Sequence, residues 1–348
     1  MIAALYLLFR RANAIAPDVT PPLRLRRWAA SFFVVAALGH LWWYLFLIYS
    51  SDIHSLSYMV VAMVDSIGML ITITGTQFAM LQDCKRPVWP AVVAMIPYMI
   101  IGTPFLANRD GTFLNVAIYY LLLLYVLFTA YMIFAIRKYG RWLNDNYADL
   151  ENKKVWLSQI VTLGCMLLLI LYASVETNMT MMFLLHVVEL IFFGLLLWRV
   201  ETLPSLTSGS NSTDELSTFF LDREEQGVGA VNIDLDQIER LLKERCVDRQ
   251  LYLQHDLTLQ QLSSTIGTNR SYLSLYFSRQ GITYNIYINN LRINHFISRN
   301  QETNAAGQSV GVQQLAKESG FRSYSTFSRA FSQRTGQSVT AWMRDTAG

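Results

Sequence analysis

The stretch VQQLAKESGFRSYSTFSRAFSQRTG, residues 312–336, decides the fold of the C-terminal part of the chain. Apolar residues at helical spacing predict a first helix that ends at Gly320. Ser323 is placed to cap a second helix, which buries its aromatic side chains and ends before Gly336. Two helices joined by a tight turn that contains glycine form a helix-turn-helix motif.

The same pattern occurs about 53 residues earlier in the chain. In residues 259–281, Gly267 ends a first helix and Asn269 can cap a second one. Residues 284–297 predict one long helix between the two motifs, and residues 236–247 predict an amphipathic helix before them. Two motifs in tandem with a connecting helix are a far more specific signal than one.

The sequence GFRSYSTFSRAF at 320–331, followed by RTGQS at 334–338, resembles the signature of AraC/XylS-type transcription regulators. The resemblance covers roughly residues 233–343 and is strongest at the C-terminal end. It implies an all-α domain with two helix-turn-helix units that bind double-stranded DNA. The second helices of the two units would face major-groove segments about 34 Å apart.

The residues expected to contact base edges lie near the N-terminal ends of these second helices. Arg329 is the strongest candidate, because a guanidinium can donate two hydrogen bonds to guanine. Leu275 stands where the family often has a basic residue, so the first unit is expected to read shape or a thymine methyl group. Nine Lys and Arg against three Asp and Glu in residues 257–348 suit a phosphate backbone. The candidate contact residues are Arg270, Ser271, Ser274, Tyr324, Ser325, Ser328 and Arg329.

Residues 1–200 differ in composition, because they contain long apolar stretches that are nearly free of charge. Six stretches reach the roughly 20 apolar residues that span a bilayer. A buried core helix of a soluble protein explains one such stretch but not six, so an N-terminal polytopic transmembrane helix bundle is predicted. Residues 1–9 are too short to span and are either a re-entrant or interfacial segment or part of a seventh span. The six predicted spans are residues 28–50, 57–81, 89–106, 113–136, 156–174 and 179–198.

Basic residues are distributed unevenly between the connections of these spans. Thirteen lie on one side and only Arg109 lies on the other. Because the side richer in Lys and Arg is cytoplasmic, we expect a bacterial inner-membrane protein with a cytoplasmic C-terminal domain. The predicted domains are a transmembrane bundle at 1–200, a flexible linker at 201–232 and a DNA-binding domain at 233–348. This organisation is similar to a polytopic membrane-bound subgroup of the same regulators.

Four ionisable side chains lie inside the predicted spans, where charge is costly and usually faces the bundle interior. Three of them lie roughly 10–15 Å below the outer surface. Either they form a pocket that senses a ligand, an ion or a proton, or they only hold helices together through hydrogen bonds. Gly68 and Gly75, two helical turns apart, are expected to permit close helix packing. The candidate sensing residues are His40, Asp65, His186 and Glu189.

Other chemistry is not indicated. Cys84, Cys165 and Cys246 show no metal spacing and are too scattered for a disulfide framework, so reduced thiols are expected. No metal site, no cofactor and no catalytic array is predicted, and a secretory signal peptide is not supported.

The leading hypothesis is a membrane-bound one-component transcription regulator that is not an enzyme. Its expected partners are double-stranded DNA and the lipid bilayer, with RNA polymerase and a homodimer partner left open. The signal itself is unknown. One alternative is a membrane transporter or enzyme with a regulatory soluble domain, and another is that the tandem helices bind protein. DNA binding in place and proteolytic release at the linker both stay open.

Overall fold

The computed structural model describes residues 1–49, 56–108, 112–173, 179–206, 235–307 and 310–347. Within these ranges the chain forms fourteen α-helices, a π-helical turn at Lys243–Val247 and a 3₁₀ turn at Leu251–Leu253. The predicted all-α class is confirmed, since the same ranges contain no strand beyond one isolated bridge. Residues 207–234, which include most of the predicted linker at 201–232, lie outside the described residues.

The chain divides into two compact units. The first contains Met1–Tyr139 and Asn152–Ser208, and the second contains Gly140–Glu151 and Gly209–Gly348. The twelve residues 140–151, which the sequence analysis assigned to the N-terminal bundle, therefore group with the C-terminal unit by their contacts.

The described residues of the first unit form seven helices, of which α5 continues into the second unit, and each predicted span falls on one of the helices α2 to α7. Their bounds are α1 Ile2–Phe9, α2 Leu23–Tyr49, α3 Leu56–Met80, α4 Trp89–Asn108, α5 Thr112–Asn146, α6 Trp156–Ala173 and α7 Met179–Thr202.

Helix α2 makes close contacts with the helices on both sides of it in the sequence. Helix α1 packs against α2, where Leu7 is buried and its carbonyl accepts a hydrogen bond from Nε of Arg26 at 3.0 Å. Helices α2 and α3 approach closely, since a Cβ at Gly75 would lie 2.3 Å from the Trp28 ring. The predicted role of Gly75 in close packing is confirmed.

These helices differ in the length of their apolar stretches. Asn115–Asn146 and Phe183–Thr202 are long and apolar enough to cross a membrane, by length and composition, within the described residues. Trp89–Ile101 and Trp156–Leu167 are shorter apolar stretches. The six-span bundle stays a prediction.

Within its described residues, the second unit contains seven helices and two hydrophobic cores. The first core is formed mainly by α8 to α10 and the second by α12 to α14. Helix α11 contributes to both cores, with Tyr284 and Ile288 in the first and Ile293 and Phe296 in the second. The helices are α8 Leu235–Leu242, α9 Leu259–Ile266, α10 Arg270–Arg279, α11 Tyr284–Ala305, α12 Val312–Glu318, α13 Tyr324–Thr335 and α14 Val339–Ala347.

Candidate nucleic-acid interface

The first helix-turn-helix motif consists of α9 and α10, and side-chain caps fix where both helices begin. Thr258 and Gln261 form a capping box, in which Oγ1 of Thr258 accepts from the Gln261 amide at 3.2 Å. Gly267 ends α9 with φ of +79°. Oδ1 of Asn269 accepts from the Ser271 amide at 2.9 Å, which confirms the predicted cap of α10.

The second motif consists of α12 and α13. Oγ of Ser323 accepts from the Thr326 amide at 3.3 Å, which confirms the predicted cap, and Gly336 ends α13 with φ of +76°. Gly320 lies in the turn with φ of +88°, and a Cβ there would lie 2.8 Å from Cα and O of Leu253. The turn of the second motif therefore packs directly on the backbone of the 3₁₀ turn near the first.

The structure places all seven candidate contact residues on α10 and α13, the second helices of the two motifs. Leu275 and Tyr324 are 37% and 38% exposed, although most large apolar side chains described in this unit are buried. Exposed apolar groups on these helices suit contact with thymine methyl groups. The exposed candidates are Ser274, Tyr324, Ser325 and Arg329, and the half-buried ones are Arg270, Ser271 and Ser328.

Arg292 differs from the other basic residues of the unit, because its side chain is fully buried. Its Nε donates to the Tyr252 carbonyl at 2.7 Å, and one terminal nitrogen donates to the carbonyls of Gln254 and His255 at 2.7 and 3.1 Å. Burial lowers the pKa of its guanidinium. Arg292 is one of the nine basic residues predicted to suit a phosphate backbone, and for this buried residue the prediction is wrong.

The remaining basic residues of the unit lie closer to the surface. Arg299 pairs with Glu302 at 2.8 Å, and Arg322 lies 3.6 Å from Asp256. Exposed basic side chains also lie on four helices: Arg279 on α10, Lys317 on α12, Arg329 on α13 and Arg344 on α14.

Residues 140–151, which we call the docking segment, contact the first motif. Nε of Arg270 donates to Oδ1 of Asn146 at 3.2 Å. Ala148 is 1% exposed and belongs to the first hydrophobic core. Its carbonyl accepts hydrogen bonds from the side chains of Asn285 at 2.6 Å and Asn289 at 3.3 Å.

The docking segment also contacts the second motif. The two carboxylate oxygens of Glu151 accept from the hydroxyls of Ser325 and Thr326, both at 3.4 Å. Two of the predicted DNA-contacting residues, Arg270 and Ser325, are thus bonded to this segment. The sequence analysis missed these contacts, because they join residues 124 and 174 positions apart.

In the first unit, the predicted sensing residues come together between α2, α3 and α7. Nε2 of His40 lies 3.4 Å from Oε2 of Glu189, and the rings of His40 and His186 are 5.9 Å apart. Asp65 lies against Gly39, where a Cβ would be 2.3 Å from its Oδ1. All four are the residues named from the sequence as candidates for a sensing pocket, with hydrogen bonds that only hold the helices together as the alternative.

This cluster has the donor atoms that a divalent cation needs. One ligand atom from each of His40, His186 and Glu189 lies within 4.8 Å of the others. Nδ1 of His40 hydrogen-bonds to the Ala36 carbonyl at 2.8 Å, which orients the ring with Nε2 toward Glu189. Two imidazoles and a carboxylate are a ligand set that Zn²⁺ accepts. No metal site was predicted from the sequence, because the set arises only when α2 and α7 pack together.

Comparison with known proteins identifies the C-terminal unit. Residues 262–345 match a family model described as a helix-turn-helix domain. No curated protein and no solved structure matches the chain. The match includes both motifs from Leu262 onward. The C-terminal part of the chain therefore carries an AraC-type helix-turn-helix domain, which supports a DNA-binding transcription regulator.

Proposed function

We propose that the chain is a membrane-bound one-component transcription regulator that binds promoter DNA sequence-specifically through α10 and α13. The observation that carries the proposal is the pair of capped helix-turn-helix motifs joined by α11. In such motifs the N-terminal residues of the second helix contact base edges in the major groove. Arg329 and the other six candidate residues lie on these two helices.

Exposed apolar surface on the first unit supports its membrane location. Only 17% and 22% of the apolar windows in Asn115–Asn146 and Phe183–Thr202 are buried. Phe134, Phe183 and Leu190 are 61%, 69% and 68% exposed. The core helix of a soluble protein buries such side chains, whereas lipid covers them in a membrane. The basic connections then favour the bacterial inner membrane with the C-terminal unit in the cytoplasm.

DNA binding is tested by a salt titration of the full-length protein in lipid nanodiscs. A duplex is first enriched from a random library, and its binding is then measured as the salt concentration rises. We expect the logarithm of the binding constant to fall linearly with the logarithm of the salt concentration, because bound Lys and Arg displace counterions. Absence of binding at low salt, or binding that salt leaves unchanged, would contradict the proposal and favour a protein partner.

Replacing Arg329 with alanine is expected to weaken binding to the enriched duplex by about 1–3 kcal/mol, or roughly 5- to 150-fold, and to relax selectivity at one base pair. The loss follows from removing two donors to a guanine edge. Binding to a library of single-base variants measures it. The matched control is Lys317→Ala on α12, which should weaken binding uniformly across sequences. An unchanged base preference in Arg329→Ala would rule out this role.

We further propose that the cluster of His40, Asp65, His186 and Glu189 senses the signal. A proton and a divalent cation are the two ligands that its donors fit. Glu189→Gln is expected to abolish the response of promoter output to external pH or Zn²⁺. The glutamine amide carries no charge, so it cannot pair with a charged partner as the carboxylate does. His255→Asn, a change at an exposed histidine of the C-terminal unit, is the control.

Reporter expression and solute uptake are measured in the same cells. A response that survives in Glu189→Gln would count against sensing at the cluster. A loss of uptake with unchanged promoter output would favour the alternative function, a transporter with a regulatory soluble domain.

A further inference from the structure

We propose that the docking segment, residues 140–151, and DNA compete for the same surface of the C-terminal unit, so that the docked chain is held in a state that does not bind DNA. The inference rests on the proposed function, because it concerns the regulation of the same DNA-reading ends of α10 and α13.

The first contact occupies a base-reading side chain. Arg270 is the first residue of α10, the place from which a recognition helix reaches base edges. Its Nε and one terminal nitrogen both donate to Oδ1 of Asn146. These are the donors that a guanine edge or a phosphate would need. While these two nitrogens are bonded to Asn146, the side chain of Arg270 is half-buried and faces the docking segment.

The second contact places a carboxylate where a phosphate would bind. The hydroxyls of Ser325 and Thr326 lie in the first turn of α13 and both point to Glu151. The N-terminus of a helix attracts anions through its free amides and its dipole. Glu151 accepts from the two hydroxyls at this end of the helix, and its charge repels the DNA backbone.

The segment is anchored between these two contacts. Ala148 inserts into the first core. The side chains of Asn285 and Asn289 donate hydrogen bonds to its carbonyl. Tyr147 pairs with Thr258 in an isolated antiparallel bridge. The backbone from Asn146 to Glu151 therefore links the N-terminal ends of both recognition helices. A duplex that enters either major-groove position must displace it.

Docking is connected to the rest of the chain through α5. Asn146 is the last residue of α5, and residues 113–136 of the same helix form the fourth predicted span. The segment that contacts α10 and α13 is therefore covalently continuous with the fourth predicted span. A signal that alters the helix can change DNA affinity without any contact with DNA.

The test uses full-length protein in nanodiscs and the enriched duplex. Asn146→Ala combined with Glu151→Gln removes both contacts, while Ala148 and the hydrophobic core stay intact. The matched control combines Asn304→Ala and Glu244→Gln, which changes the same residue types and the same charge at exposed positions. We expect the docking variant to bind the duplex at least about tenfold more tightly than the wild type, because docking reduces the fraction of binding-competent protein. The control should stay within twofold of the wild type.

The outcomes separate this inference from the proposed function. Equal affinity of the wild type and the docking variant overturns the competition but leaves DNA binding in place. Failure of all variants to bind any duplex at low salt overturns the proposed function and, with it, the inference. Hydrogen exchange of the wild-type protein gives a second test without substitution. The duplex should increase exchange of the amides of residues 147–151 and decrease that of α10 and α13, whereas protection of all three would contradict competition.

Discussion

Replacing Arg292 with methionine is expected to destabilise the C-terminal unit by about 3 kcal/mol or more. The three carbonyls that receive its hydrogen bonds lie within residues 252–255, which precede the first motif and pack against the turn of the second motif at Gly320. A buried acceptor that loses its donor costs about 1–3 kcal/mol, and methionine fills space without donating. Against a total stability of about 5–15 kcal/mol for a domain, such a loss is large.

Hydrogen exchange of α9 and α11 in the full-length protein measures this effect, because amide protection follows the free energy of local opening. Arg299→Met is the control, since Arg299 pairs with Glu302 and both side chains are exposed to solvent. Exposed pairs contribute about 0–1 kcal/mol. Equal protection in the two variants would show that Arg292 does not hold the motifs together.

Gly320→Ala is expected to have the second large effect, because two penalties coincide at this position. A left-handed φ disfavours any residue with a Cβ by roughly 1–2 kcal/mol. The Cβ would in addition lie 2.8 Å from the Leu253 backbone, which cannot move away like a side chain. The second motif should separate from the 3₁₀ turn, and both DNA binding and protection of α12 should fall.

Gly336→Ala separates the two penalties. Gly336 has φ of +76°, but a Cβ there would contact nothing within 4 Å. This variant should therefore show the backbone cost alone. If both variants lose the same amount of protection in hydrogen exchange, the close approach to Leu253 contributes nothing to stability.

Local chemistry explains why so much of the C-terminal fold could be predicted. The caps at Asn269 and Ser323, and the left-handed glycines Gly267 and Gly336, act within a few residues of their own position. Of the predicted stripe Ile238, Leu241, Leu242 and Cys246, Leu241 is half-buried and the other three are buried, although the helix changes to a π-turn at Lys243. At these positions the sequence pattern predicts the structure correctly, because the interactions are local.

The parts that escaped prediction depend on distant partners. An arginine in an amphipathic helix normally reaches solvent, so nothing in the sequence around Arg292 indicates that carbonyls 37 to 40 residues away surround it. The docking segment is polar, like the other connections between the predicted spans, so its composition does not indicate the contacts that it makes. The seven candidate contact residues and the sensing cluster stay predictions about function, whereas the juxtaposition of His40, His186 and Glu189 is a result of helix packing.

Helix α11 has a consequence for the DNA that this protein selects. Because one continuous helix enters both cores, it sets the rotation of one reading surface relative to the other. An additional residue in its middle would turn the second motif by about 100° and move it about 1.5 Å along the axis. Under the proposed function, α11 therefore fixes the spacing of the two recognition helices, and two half-sites moved out of phase by half a turn of the duplex would no longer bind both of them together.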